Sequence, residues 1–195
     1  MRAGALGLVA FGATMLAGAG SAEAKIDEVY LGVFQHNSCM LDCKNAFKEG
    51  EPNIEAEVDF SPVQALHVIG TPRPYLIASL NTQGDTSYAG FGLAWRFKLS
   101  QHWSIDPSFG YVLHNGELKD PYPNGTPESA HFTDEHVLLG SRDLFHTSLG
   151  LTRDLEGPWK IQAAYQHLSH GQILGHGRNQ GLDEFGIRLG YEFGG

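Results

Sequence analysis

His167 and Ser169 stand two residues apart, and Asp183 follows after a turn-rich stretch. These three residue types can hydrolyse an ester. A histidine takes the proton of a serine hydroxyl, and a carboxylate orients the histidine and stabilises its charged form. In an extended strand, residues i and i+2 share a face about 6.6 Å apart along the chain. That is longer than a hydrogen bond, but the two side chains can lean together. A lone His-x-Ser is a weak motif, and strand ends are ordinary places for polar residues. The chemistry therefore depends on what the surrounding elements do with these positions.

Period-two alternation, the signature of strands, recurs along the chain. In 87–99, Ala89, Phe91, Leu93, Trp95, Phe97 and Leu99 share one face, and Tyr88, Gly90, Gly92, Ala94, Arg96 and Lys98 share the other. In 103–114, Trp103, Ile105, Phe109, Tyr111 and Leu113 alternate with Ser104, Asp106, Ser108, Gly110 and His114. Segments 53–60, 144–152, 159–169 and 183–193 alternate in the same way, and weaker patterns at 28–36 and 74–82 bring the expectation to eight strands. A soluble lipocalin-like barrel would turn the apolar face inward, and a membrane barrel would turn it outward. Strand lengths of about 9–12 residues, charged residues on several polar faces, and Trp95, Trp103 and Trp159 near strand ends favour the membrane version. The predicted fold is all-β, an eight-stranded antiparallel outer-membrane β-barrel.

The connections at 99–102 and 155–158 are short, whereas those at 37–52, 115–143 and 170–181 are long. Outer-membrane barrels keep short turns in the periplasm and long loops outside. With both termini periplasmic, all three long loops fall outside. The connection at 61–73 departs from the rule, being long but periplasmic, and 82–86 is short but outside. On this topology His167, Ser169 and Asp183 share the parity of the outward residues Tyr165, Phe185 and Ile187. All three point toward lipid at the extracellular end. Polar side chains there are costly within the hydrocarbon and ordinary above its edge.

Residues 1–24 read as a secretory signal peptide: one base, Arg2, an apolar run, and the small-x-small pattern Ala22-Glu23-Ala24. The barrel domain is expected over 25–195. Losing Arg2 and Glu23 leaves the net charge at −9, and no basic patch offers a footprint for nucleic acid. Cys39 and Cys43 are the two cysteines. Export suits a small loop disulfide; free thiols remain open, and a metal site is short of ligands.

His167-Leu-Ser169 followed by Asn179-Gln-Gly181-Leu-Asp183 resembles the signature of the PagL-type lipid A 3-O-deacylases, also called acyloxyacyl hydrolases. Earlier stretches are similar too: Glu55 to Pro62, Arg73-Pro-Tyr, Asn81 to Ser87, and Gly90 to Trp95. The resemblance covers essentially the whole mature chain. It implies an outer-membrane serine esterase that removes the 3-O-linked hydroxyacyl chain of lipid A in the outer leaflet, with no metal or organic cofactor. Carried over, Ser169 is the nucleophile, His167 the base and Asp183 the orienting acid. Two positions depart from the family pattern. The acid is usually glutamate, and here Asp183 stands at the matching position with Glu184 beside it, which parity sends to the lumen. The family commonly has asparagine directly after the serine, tied to the oxyanion hole, and here His170 stands there. His170, Gly171, Asn179 and Gly181 are the candidate oxyanion or substrate residues.

Among other candidates, His131, His136, His146, His170 and His176 show no tight metal-ligand spacing and read first as solvated loop histidines. Residues 84–87 read as a tight outer loop that could touch substrate. Arg142 and Arg178 suit the phosphates of lipid A or simple loop solubility. Two other functional readings stay open. One is a non-enzymatic small barrel for adhesion or membrane integrity, in which His167 and Ser169 are dispensable and not hydrogen-bonded to each other. The other is an esterase acting on phospholipid.

Overall fold

The computed structural model describes residues 25–38 and 48–193. The expected signal peptide and both cysteines, Cys39 and Cys43, lie outside the described residues. Strands β1 (Ile26–Gln35), β2 (Asn53–Phe60), β3 (Arg73–Asn81) and β4 (Tyr88–Ala94) run antiparallel to their neighbours. The short β5 (Phe97–Lys98) continues the line of β4, and both pair with β6 (Trp103–His114). They are followed by β7 (Asp143–Asp154), β8 (Trp159–Ser169) and β9 (Leu182–Glu192). β9 pairs with β1, which closes eight barrel strands into a ring. Closure satisfies every strand's backbone groups internally, as lipid demands.

The burial pattern is that of a membrane barrel. Leu31, Val33, Ile54, Leu80, Phe109, Leu149 and Ile187 are exposed on the outer wall. Glu28, Glu55, Glu57, Asp106, Gln162, Gln166, Glu184 and Arg188 are buried in the lumen. The two lumen arginines pair with several of these carboxylates. Arg188 lies 2.7 Å from Glu57 and 3.4 Å from Glu55, and Arg96 bonds Glu28 and Asp106 at 2.5 and 2.9 Å. Removing one member of such a buried pair costs about 3–5 kcal/mol, because the other is left uncompensated.

The expected strand at 87–99 is broken at Trp95 and Arg96, where pairing lapses before β5. The long third loop also holds a helix that alternation does not reveal, α1 (Pro127–Glu135). Its start is nevertheless written in the chain. Thr126 caps it by accepting a bond from the Ser129 N–H at 3.2 Å, and Pro127 opens the first turn.

The outer loops are tied to the barrel mouth through Glu49. Its carboxylate bonds His36 at 3.2 Å, Thr86 at 2.7 Å and the Val137 N–H at 2.9 Å, joining three loops. Beyond β1, His36 is sandwiched between Glu49 and Glu184, the latter at 2.7 Å. Burial works against the charge of His36, but the bonds to Glu184 and Glu49 outweigh it and raise its pKa to about 9. A raised histidine pKa stabilises the fold below the unfolded value near 6.5, and that stability is lost as pH climbs through about 9. The melting temperature of the refolded barrel should therefore fall between pH 6.5 and about 9. Thermal unfolding should show this fall flattened in His36→Gln.

Candidate active site

β8 and β9 place the three polar residues by register. His167 is the direct cross-strand partner of Asp183, and Tyr165 is that of Phe185. Successive residues alternate faces, so Tyr165, His167 and Ser169 emerge together on the outer wall. The His167 Nδ1–H donates to Asp183 Oδ1 at 2.6 Å. His167 remains open to the surroundings, its side chain 43% exposed against 9% for Asp183. With Nδ1 committed to the carboxylate, Nε2 is the nitrogen left to accept a proton.

Gly181 guards that nitrogen. It adopts φ +70°, and a Cβ there would stand 3.1 Å from His167 Cε1 and 3.9 Å from Nε2. Any side chain would be strained and would crowd the reactive edge of the imidazole. From β7, Thr147 Oγ1 donates to the His167 carbonyl at 3.2 Å. The first loop contributes the Ser38 N–H, which bonds the backbone carbonyl of Asp183 at 2.6 Å.

Tyr165 is the residue that sequence reasoning missed. Alternation made it one more apolar outward position, yet its hydroxyl donates to Asp183 Oδ1 at 2.7 Å. The same carboxylate oxygen thus accepts from both His167 and Tyr165. The available signal was parity: Tyr165 sits two residues before His167 on the same face, within diagonal reach of Asp183.

Ser169 closes β8 opposite Phe145. No hydrogen bond joins it to His167 among the described residues. Catalytic hydrogen bonds are often long before substrate arrives. The structure thus brings His167 and Asp183 together and leaves Ser169 adjacent on the same face.

Glu184 faces the other way. It is fully buried in the lumen, where its carboxylate accepts from Asn53 at 2.8 Å and Tyr88 at 2.7 Å and bonds His36.

His170 is not a solvated loop histidine, nor is its ring aimed at the site. It is fully buried, accepts from the Gln172 N–H at 3.1 Å through Nδ1, and donates to the Arg178 carbonyl at 3.2 Å through Nε2. Its backbone N–H donates to Asn179 Oδ1 at 3.4 Å. The imidazole folds the fourth loop, and Asn179 keeps an amide N–H2 group to donate. Gly171 follows directly with φ +59°. His146 likewise departs from the expectation for loop histidines, since it is buried in the lumen between Tyr75 and Gln166. Arg142 donates to the carbonyls of His114 and Gly116, whereas the Arg178 side chain is exposed. In the 84–87 loop, Thr86 is buried against Glu49 at the barrel mouth.

The pattern of the family described as lipid A 3-O-deacylase (PagL) matches residues 89–192. The crystal structure of the outer membrane enzyme PagL superposes with a TM-score of 0.56 at 12% identity, covering 85% of this chain and 99% of that one. A de novo designed transmembrane β-barrel gives 0.51 at 8% identity, over 88% and 98% of the respective chains. At these identities the two structures speak for the fold alone. No curated protein matches the sequence.

The geometry fixes the histidine tautomer. Nitrogen NMR should show neutral His167 with its proton on Nδ1 and Nε2 bare, the preference being lost in Asp183→Asn. A dominant Nε2–H form in the parent would contradict this arrangement.

Proposed function

Since the chain belongs to the lipid A 3-O-deacylase (PagL) family of outer-membrane ester hydrolases, we propose that Ser169, His167 and Asp183 carry out that deacylation on lipid A in the outer leaflet. The supporting observation is the 2.6 Å bond between His167 and Asp183 on the lipid-facing wall. A catalytic acid–base pair facing lipid suits a substrate that arrives from the membrane.

Ser169 Oγ attacks the carbonyl carbon of the 3-O ester while His167 Nε2 takes its proton. Asp183 stabilises the imidazolium that forms. The carbonyl oxygen gains negative charge, and the Asn179 amide N–H2, with the Gly171 N–H, is assigned to receive it. The His170 N–H supports this by holding Asn179 Oδ1 and so directing the amide. As the intermediate collapses, the bond from acyl carbon to sugar oxygen breaks, and His167 returns the proton to the leaving hydroxyl. Water, deprotonated by His167, then attacks the acyl-serine and releases the hydroxy acid. The acyl chain would lie along the outer wall past Ala163, which is flanked by exposed Leu151 and Ile187. Asparagine is absent from the position after the serine, and Asn179 takes up its role here.

Mass spectrometry of lipid A from cells expressing the chain should show loss of one hydroxyacyl group. The Ser169→Ala variant, folded in the outer membrane, should leave lipid A intact. Unchanged lipid A with the parent chain would count against the reading and return the non-enzymatic barrel to first place. If lipid A is unchanged while phospholipid is hydrolysed, the substrate is the alternative one.

Tyr165 enters as a positioning residue. Removing its hydroxyl in Tyr165→Phe should lower kcat about fivefold, from the roughly 1 kcal/mol of one hydrogen bond. Steady-state kinetics checks this: kcat per folded barrel should fall with KM unchanged, whereas a merely structural role would lower the yield of folded barrel and leave its kcat in place.

A further inference from the structure

The long periplasmic connection between β2 and β3 is unlike an ordinary water-facing loop. Residues 61–72 contain Val63, Ala65, Leu66, Val68 and Ile69, and no Asp, Glu, Lys or Arg. Gln64–Ile69 forms a short 3-10 helix kinked at Leu66, in which no residue is buried. Val68 is 79% exposed and Ile69 51%. Val68 and Ile69 therefore lie outside the protein core, while Val63 and Leu66 are half-buried, and the segment's one ionisable side chain is His67.

Its position is fixed by Trp95. The indole Nε1–H donates to the Ile69 carbonyl at 2.7 Å. Gly70 packs on the same ring, since a Cβ there would stand 3.2 Å from Trp95 Cδ1. The neighbouring Arg96 turns inward to Glu28 and Asp106. Trp95 therefore points outward, and the helix is held on the lipid side of the rim rather than beneath the lumen. The Val63 N–H bonds the Pro72 carbonyl at 3.0 Å, which closes the segment on itself. Beside it on the outer wall, Phe97 and Leu99 are 56% and 59% exposed and extend the apolar band of the barrel.

We propose that this helix is an interfacial anchor that lies in the periplasmic leaflet, with Val68 and Ile69 inserted among phospholipid acyl chains and Trp95 as its tether. The occupant is lipid because the exposed apolar side chains are held by Trp95 on the side of the lipid-facing wall and the segment carries no Asp, Glu, Lys or Arg, with His67 as its one ionisable group. A short segment with exposed apolar side chains can rest at the headgroup boundary and gain from burying them there. Aromatic residues such as Trp95 favour the same depth. The anchor lies at the opposite end of the barrel from His167. It would steady the barrel's height in the membrane and so the level at which the site meets the outer leaflet.

The test uses the full mature chain in phosphatidylcholine nanodiscs, with methyl NMR read against two paramagnetic probes. Lipid carrying a nitroxide near the top of its acyl chain should broaden the Val68 and Ile69 methyls as strongly as those of Leu99. A water-soluble gadolinium chelate should leave them sharp while broadening Ala130 on the outer helix α1. In Trp95→Phe the lipid-induced loss at Val68 and Ile69 should shrink. Val68 and Ile69 broadened by gadolinium like Ala130, and spared by the lipid nitroxide, would overturn the proposal. Unchanged lipid broadening in Trp95→Phe would overturn the tether. Neither readout depends on deacylase activity, so failure of the anchor and failure of the functional reading are separable.

Discussion

Glu184 sits in the lumen with its carboxylate held by His36, Asn53 and Tyr88. That clamp is the constraint on which the site depends. Side chains alternate faces along a strand, so fixing Glu184 inside sends Asp183 outside. A slip of one residue would turn Asp183 into the lumen and put Glu184 against the membrane. It would also invert every apolar position of β9, from Phe185 to Leu189. Register and hydrophobic pattern therefore enforce each other, and the bond between His167 and Asp183 follows from both.

The outer loops support the same arrangement from above. Val137, Leu138 and Leu139 are fully buried at the mouth, and Leu138 exchanges bonds with Gln180, its N–H giving 2.6 Å to the side chain. Gln180 is flanked by Asn179 and Gly181, so the third loop braces the stretch that borders His167. Glu49 fastens that loop to the first and second. The edge proposed to be catalytic is in this way backed by a hydrogen-bonded, polar interior. Such support is what a site on an exposed wall needs, because small displacements of a catalytic group are costly in rate.

Much of this was legible in the sequence, because a membrane barrel obeys a strict two-residue period. The ends of β2, β6 and β8 coincide with the expected 53–60, 103–114 and 159–169. Parity alone separated Asp183 from Glu184. Where structure departs from period two, the reading lost its grip. The break at Trp95 and the helix α1 are set by local capping and hydrogen bonding that alternation does not encode. His170 was misjudged because its burial depends on contacts with Gln172 and Arg178 within a folded loop. Tyr165 was read for its ring, while its hydroxyl makes the contact that matters.

The most direct test of the parity argument compares hydroxy-acid release from lipid A by two folded variants, Asp183→Asn and Glu184→Gln, normalised to folded barrel. Asp183→Asn should lose activity on the order of a hundredfold or more, since the imidazolium loses its counter-charge. Glu184→Gln should lower the barrel's melting temperature, because His36, Asn53 and Tyr88 lose their shared carboxylate, yet the barrel that folds should keep far more activity than Asp183→Asn. The reverse pattern, with Glu184→Gln inactive and Asp183→Asn active, would place the orienting acid on the other face and contradict the account.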